Sequence, residues 1–202
     1  MTIYAIGRNY AAHAAELGND KPDEPVVFIK SALPLHSPKQ VPMPGFTKSL
    51  HHEIEFVLKF SQDIECGTPV ENGANMFNEL ALGIDFTARD LQDKLKAKQL
   101  PWEKAKSFAG SCILSQFTPF KANDWSIQQM ELKIDGAVKQ SGTPTLMLFN
   151  LNELVHDLLI YFSIREGDLL FTGTPAGVGP VVKGSHLEAR LNGVEMLNFS
   201  MS

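Results

Sequence analysis

Between residues 51 and 60 the chain alternates in character: Ile54, Phe56, Leu58 and Phe60 are apolar at every second position, the period of a strand that turns one face to a core. The opposite face of this half-buried strand carries His51, Glu53 and Glu55 in line, because successive strand side chains point to opposite sides. On a helix the two glutamates would diverge by about 200°. Apolar runs predict further strands over 26–29, from 80 to 85, and over 168–172. Two hairpin-like signals, Asp135-Gly136 after a strand at 131–134 and Asn192-Gly193 between strands at 185–191 and 194–200, add more.

Helical signals are fewer. Asn9 or Tyr10 can open a short helix that runs to Leu17 and stops at Gly18-Asn19-Asp20. A second spans 88–98, with Asp90 and Asp93 early and Lys94, Lys96 and Lys98 late, an order that complements the helix dipole. A third covers 151–162. Four prolines, at 34, 38, 42 and 44, make 31–45 a surface loop, since proline disrupts both helix interiors and central strands. The fold class is therefore α+β and mostly β. Without a repeat or a linker, residues 1–202 read as a single catalytic domain.

Composition narrows the partners. With 44% apolar residues the chain can bury a sizeable core, and its net charge is −5 with lysines and arginines dispersed, which argues against nucleic acid or an anionic membrane and for a small-molecule partner. Cys66 and Cys112 have neither disulfide-framework nor zinc-site spacing. The first residues lack a basic segment followed by an apolar run, and no stretch approaches the roughly 20 apolar residues of a membrane span. The expectation is a soluble cytoplasmic protein.

Two carboxylates at strand spacing repel each other unless a cation or a proton lies between them, or unless water simply solvates that face. Asp85, ending the apolar run Leu80, Ala81, Leu82 and Ile84, is a third charged group out of place unless it binds something. Three carboxylates are hard oxygen ligands suited to Mg²⁺ or Mn²⁺, with about three octahedral positions left for water and a chelating substrate. His51, on the same face, is expected to orient a glutamate, and His52 is given no role. His13 and Glu16 stand three apart on the first helix, where their side chains can meet, as a catalytic pair or as a solvated one contributing about 0.2–0.5 kcal/mol. That helix is short and near glycine, so it is a candidate lid. The glycines at 173, 177 and 179 lack a following Gly-Lys-Ser/Thr and predict a tight substrate loop rather than a nucleotide site.

Taken together, Gly7-Arg8-Asn9-Tyr10-Ala11-Ala12-His13-Ala14-Ala15-Glu16, His52-Glu53-Ile54-Glu55, Gly83-Ile84-Asp85-Phe86-Thr87-Ala88-Arg89-Asp90, Lys106-Ser107-Phe108 and Thr172-Gly173-Thr174-Pro175-Ala176-Gly177-Val178-Gly179 resemble the fumarylacetoacetate hydrolase superfamily, in order and spacing, and within it the small single-domain branch. The resemblance implies a mixed β-roll or sandwich with few short helices, assembled as a homodimer. It implies Mg²⁺, with Mn²⁺ or Ca²⁺ as alternatives, held by Glu53, Glu55 and Asp85, and a catalytic His13–Glu16 dyad. It places Lys106 beside a developing oxyanion, Gln92 as a supporting catalytic group, Thr174 near the substrate carboxylate and Arg89 as an anion-binding or structural group. Lys30 would face the substrate, although Ser31 stands where the family commonly has proline.

The implied substrates are small 2-oxo acids. Cleaving a carbon–carbon bond beside a carbonyl needs an electron sink, which a metal chelated by the 2-oxo acid supplies, and an activated water, which a His–Glu pair supplies. The complete dyad favours a hydrolase of acylpyruvates or related β-diketo acids. Oxaloacetate tautomerisation or decarboxylation at the same site is the alternative, and a non-catalytic binder of small acids the third.

Overall fold

The computed structural model describes residues 1–16, 20–31 and 33–202. The acidic strand lies at its centre. Ile54–Phe60 pairs antiparallel with Phe77–Asp85 on one side and with Leu169–Phe171 on the other. Beyond Leu169–Phe171 the sheet continues through Ile3–Gly7, joined in parallel, to Val26–Lys30 at its edge. Beyond Phe77–Asp85 it continues through Cys112–Leu114 to Leu35–His36. A second sheet orders Ala137–Gly142, Met130–Ile134, His186–Leu191, Val194–Met201 and Gln40–Val41. A small ladder of Gly179–Pro180, Leu50–His52 and Thr87–Ala88 completes the strands.

The predicted mostly-β fold with short helices is the observed one. Helices Ala11–Glu16, Arg89–Ala97 and Leu151–Tyr161 occupy the expected segments, while the stop expected at Gly18-Asn19 lies outside the described residues. Asn150 caps the third helix in a reciprocal box with Glu153, satisfying N–H groups that would otherwise lack partners. Three details differ from the expectation. The strand at 51–60 breaks at Glu53 into Leu50–His52 and Ile54–Phe60, which join different sheets. It is also buried on both faces rather than half-exposed. The proline-rich segment is not all loop, because two-residue strands fit between its prolines at Leu35–His36 and Gln40–Val41.

Burial on both faces follows from two cores. Ile54, Phe56 and Leu58, with Leu82 and Ile84, meet Leu132, Leu187 and Phe199 of the second sheet in the larger cluster. The other face of the first sheet carries a smaller cluster that includes Ala5, Val57, Ala81, Cys112 and Phe171, and curls around it. Gly83 permits that curl: a Cβ there would stand 2.5 Å from a Phe171 ring carbon and 2.7 Å from Val57 Cγ2. Glu55 and Asp85 emerge at the end of this inner face.

Candidate active site

Strand register brings the carboxylates together. Glu55 lies opposite Gly83 and Ile54 opposite Ile84, so the next rung faces Glu53 with Asp85, whose N–H donates to the Glu53 carbonyl at 2.8 Å. Carboxylate oxygens of Glu53, Glu55 and Asp85 lie within 4.8 Å of one another, with the residues only 5%, 2% and 0% exposed. Water cannot solvate such a cluster, so the reading of a merely hydrated strand face falls away. A buried, all-oxygen donor set of this kind fits a hard divalent cation.

Three cations converge on the carboxylates of Glu53 and Asp85. The short helix Glu103–Lys106, not anticipated from the sequence, delivers Lys106, whose ammonium donates to Glu53 Oε2 and to Asp85 Oδ2, both at 2.7 Å. Arg89, the first residue of its helix, donates to Glu53 Oε1 and, at 2.6 Å, to Gln92 Oε1. Lys30 donates to Asp85 Oδ1 at 2.5 Å, to the Lys106 carbonyl, and lies 3.5 Å from Ser111 Oγ. Its side chain has no exposed area. The expectation that Lys30 faces substrate does not fit this placement, because its donors are all directed at protein oxygens; it braces Asp85 instead.

Among the described residues Glu55 has no such cation and accepts only the Gly173 N–H, at 2.6 Å. The two glutamates therefore diverge. Burial alone would raise the Glu53 carboxyl, but Lys106 and Arg89 hold it well below the usual carboxylate range. Burial, and next the neighbouring Asp85, push the Glu55 carboxyl well above it. A divalent ion held by these carboxylates would displace the proton that burial favours on Glu55. Mg²⁺ binding is accordingly expected to release a proton, and its affinity to fall as pH drops below the native value of Glu55. Calorimetry in buffers of different ionisation enthalpy measures the release, and Glu55→Gln should abolish it. In the metal-free protein, the stability Glu55 contributes is full below its unfolded-state pKa and is lost as pH rises through the raised native one.

His13 lines the same pocket as the three carboxylates. It is 4% exposed, and burial lowers its pKa, with Glu53 only partly opposing, so the ring is neutral at pH 7 and able to accept a proton. Among the described residues its Nδ1 has no hydrogen-bond partner, and it lies 3.7 Å from Glu16 Oε2. Glu16 in turn accepts the Gly177 N–H at 3.0 Å. Only glycine suits position 177, where φ is +96° and a Cβ would come within 2.0 Å of the Lys139 carbonyl. Thr174 also lines the pocket, and its hydroxyl oxygen accepts from Gln140 Nε2 at 2.8 Å.

His13, Glu53, Glu55, Asp85, Arg89, Gln92, Lys106 and Thr174 thus line one pocket, with Glu16 beside His13 and Lys30 beside Asp85 rather than in its wall. His51 does not orient a carboxylate; its Nε2 pairs with Ser49 Oγ at 3.1 Å. The chain turns at Glu53, so the inward histidine is His52, bonded to Gln140 Oε1 at 3.0 Å. Gln140 was missed: it also receives the Ile54 N–H and donates to the Pro175 carbonyl, joining the acidic strand to the glycine loop. Its only sequence signal is a place in the hairpin after Asp135-Gly136, which carries no chemistry. Arg8, Phe28, Lys96 and Trp102, also unforeseen, complete the pocket wall.

Residues 2–200 match the family described as Fumarylacetoacetate (FAA) hydrolase C-terminal. The chain is 36% identical over 203 residues to the mitochondrial oxaloacetate tautomerase FAHD1 of Bos taurus, covering 98% of this chain and 90% of that protein. It is 34% identical over 194 residues to the oxaloacetate tautomerase YcgM of Escherichia coli (strain K12), covering 95% and 88%. Among solved structures, fumarylpyruvate hydrolase from Pseudomonas aeruginosa, in complex with Mn²⁺ and pyruvate, is similar with a TM-score of 0.89 and 31% identity, over 100% of this chain and 89% of that one.

Proposed function

The chain belongs to the fumarylacetoacetate hydrolase family, and we propose that within it the protein is a metal-dependent tautomerase that interconverts the enol and keto forms of oxaloacetate or a close 2-oxo dicarboxylate. The observation that carries this reading is His13, buried in the pocket of the three-carboxylate cluster with its Nδ1 3.7 Å from Glu16 Oε2. Near full-length similarity to oxaloacetate tautomerases supports it over the hydrolase that the sequence alone favoured.

Glu53, Glu55 and Asp85 would hold the divalent cation, Mg²⁺ or the Mn²⁺ found in the Pseudomonas relative, which when bound polarises the 2-oxo group. The remaining roles fall to side chains. His13 moves a proton to and from carbon 3 of the substrate, and Glu16, itself fixed by Gly177, orients the ring and steadies it when charged. Lys106 and Gln92 face the oxygen on which negative charge develops. Thr174 accepts from Gln140 and so retains its hydroxyl proton for the substrate carboxylate. Tautomerisation needs only this proton transfer and no attacking water.

A second reading has its own support. The same His13–Glu16 pair can activate water, and the similarity to a fumarylpyruvate hydrolase favours cleavage of acylpyruvates. No helix among the described residues is long and apolar enough to cross a membrane; a single-domain, cytoplasmic homodimer is part of the same proposal. NMR of Mg²⁺-supplied protein with enol-oxaloacetate and, separately, acetylpyruvate distinguishes the readings. Enol-to-keto conversion above the buffer rate, lost in Glu53→Ala and His13→Ala, supports the tautomerase. Pyruvate plus acetate supports the hydrolase, and no metal-dependent turnover of either would refute both.

A further inference from the structure

We propose that Arg8 and Lys96 form a second anion seat, which makes this pocket selective for ligands that carry a carboxylate at the end remote from the acidic cluster. Both residues line the pocket that Glu53, Glu55, Asp85 and His13 also line. Lys30, Lys106 and Arg89 are each engaged by a carboxylate of that cluster. Arg8 and Lys96 form no ion pair among the described residues, although both are half-buried.

Charge makes the surplus meaningful. Three carboxylates face three cations at the centre, so a divalent ion there calls for a dianionic ligand, which a 2-oxo acid becomes when its enol is ionised. A second carboxylate on the ligand adds one more negative charge, and the two remaining cations meet it. Lys96 bears the mark of this excess: burial, then Arg89 and Arg8, lower the pKa of its ammonium, and Asp93 on the same helix offsets this only in part. An anionic ligand relieves that repulsion.

Backbone geometry supports the same assignment. Arg8 has φ +60°, a conformation that non-glycine residues adopt at a cost and that gathers at ligand sites. It is locked there by its neighbour. Asn9 is fully buried, donates to the Thr172 and Phe149 carbonyls at 2.8 and 3.2 Å, and accepts from the Phe149 N–H at 2.8 Å. The Lys96 ammonium lies 5.3 Å from the Trp102 ring centroid, a contact that holds it at the wall without neutralising it.

The inference rests on the proposed function only in assigning the acidic cluster to the ligand's chelating end. Calorimetry of the Mg²⁺-supplied protein with malate and 2-hydroxybutyrate tests it, since the two share a 2-hydroxy acid end and differ in a distal carboxylate against a methyl group. Oxalate reports the chelating end alone. Malate should bind at least tenfold more tightly than 2-hydroxybutyrate. Arg8→Asn, chosen because asparagine tolerates positive φ, and Lys96→Gln should each reduce that ratio at least threefold with oxalate affinity within twofold of wild type. Equal binding of malate and 2-hydroxybutyrate by wild type, or a ratio unchanged in both variants, while oxalate still binds, overturns the seat and leaves the proposed function standing. Failure of wild type to bind oxalate overturns both.

Discussion

Lys106→Met is expected to lower kcat for the enol substrate by about 10²–10³-fold, the range for removing one preorganised donor from a developing oxyanion, while Mg²⁺ binds at least as tightly as in wild type. The two effects separate because the Lys106 ammonium contacts Glu53 and Asp85. Removing it takes a positive charge away from the carboxylates proposed to hold the cation, which would favour metal binding, and also takes away the donor that the proposed function directs at the reacting oxygen. Methionine preserves most of the stem volume, so the packing against Phe28, whose ring centroid lies 5.3 Å from the ammonium, is largely kept. Steady-state kinetics paired with calorimetric titration of Mg²⁺ decide the matter. Parallel loss of metal binding and activity would mean that Lys106 serves to hold the carboxylates in place.

The second large effect is on stability. Lys30→Met should destabilise the metal-free protein by about 3–5 kcal/mol, the range for removing one partner of a buried ion pair. Lys30 and Asp85 are both without exposed side-chain area, so no solvent replaces the cation lost from Asp85 Oδ1; Lys106 still donates to Oδ2, and the Lys106 carbonyl keeps only the Ser111 hydroxyl as donor. Urea unfolding with an unchanged m-value measures the loss, and saturating Mg²⁺ should restore part of it by supplying positive charge at Asp85. A change below about 1 kcal/mol without metal, accompanied by a raised KM, would instead return Lys30 to the substrate-binding role that the sequence implied.

These expectations show where the linear chain is informative. Glu53 and Glu55 were legible because they sit in a period-two apolar run, which fixes the side of the strand a polar residue must take, and Asp85 because a charge at the end of a continuous apolar run is out of place unless it binds something. His51 was misjudged by the same logic. The period was extended across Glu53, where the chain leaves one sheet for another, and the change of direction turns His52 inward. Lys106 was identified by family resemblance, yet the short helix that delivers it gave no periodic signal in four residues.

By itself, then, the sequence determined the strand-rich architecture, the faces on which its acidic residues lie and the hard-cation character of the cluster, since alternation and side-chain chemistry are local properties. Only the tertiary structure decided which cations answer those carboxylates and which are left over. Lys30 reaches Asp85 across 55 positions and Gln140 reaches Ile54 across 86. Arg8 and Lys96 arrive at one pocket wall from a turn and a helix. Such pairings depend on strand register and sheet curl, which are set by packing between segments distant in the chain, and no local pattern encodes them.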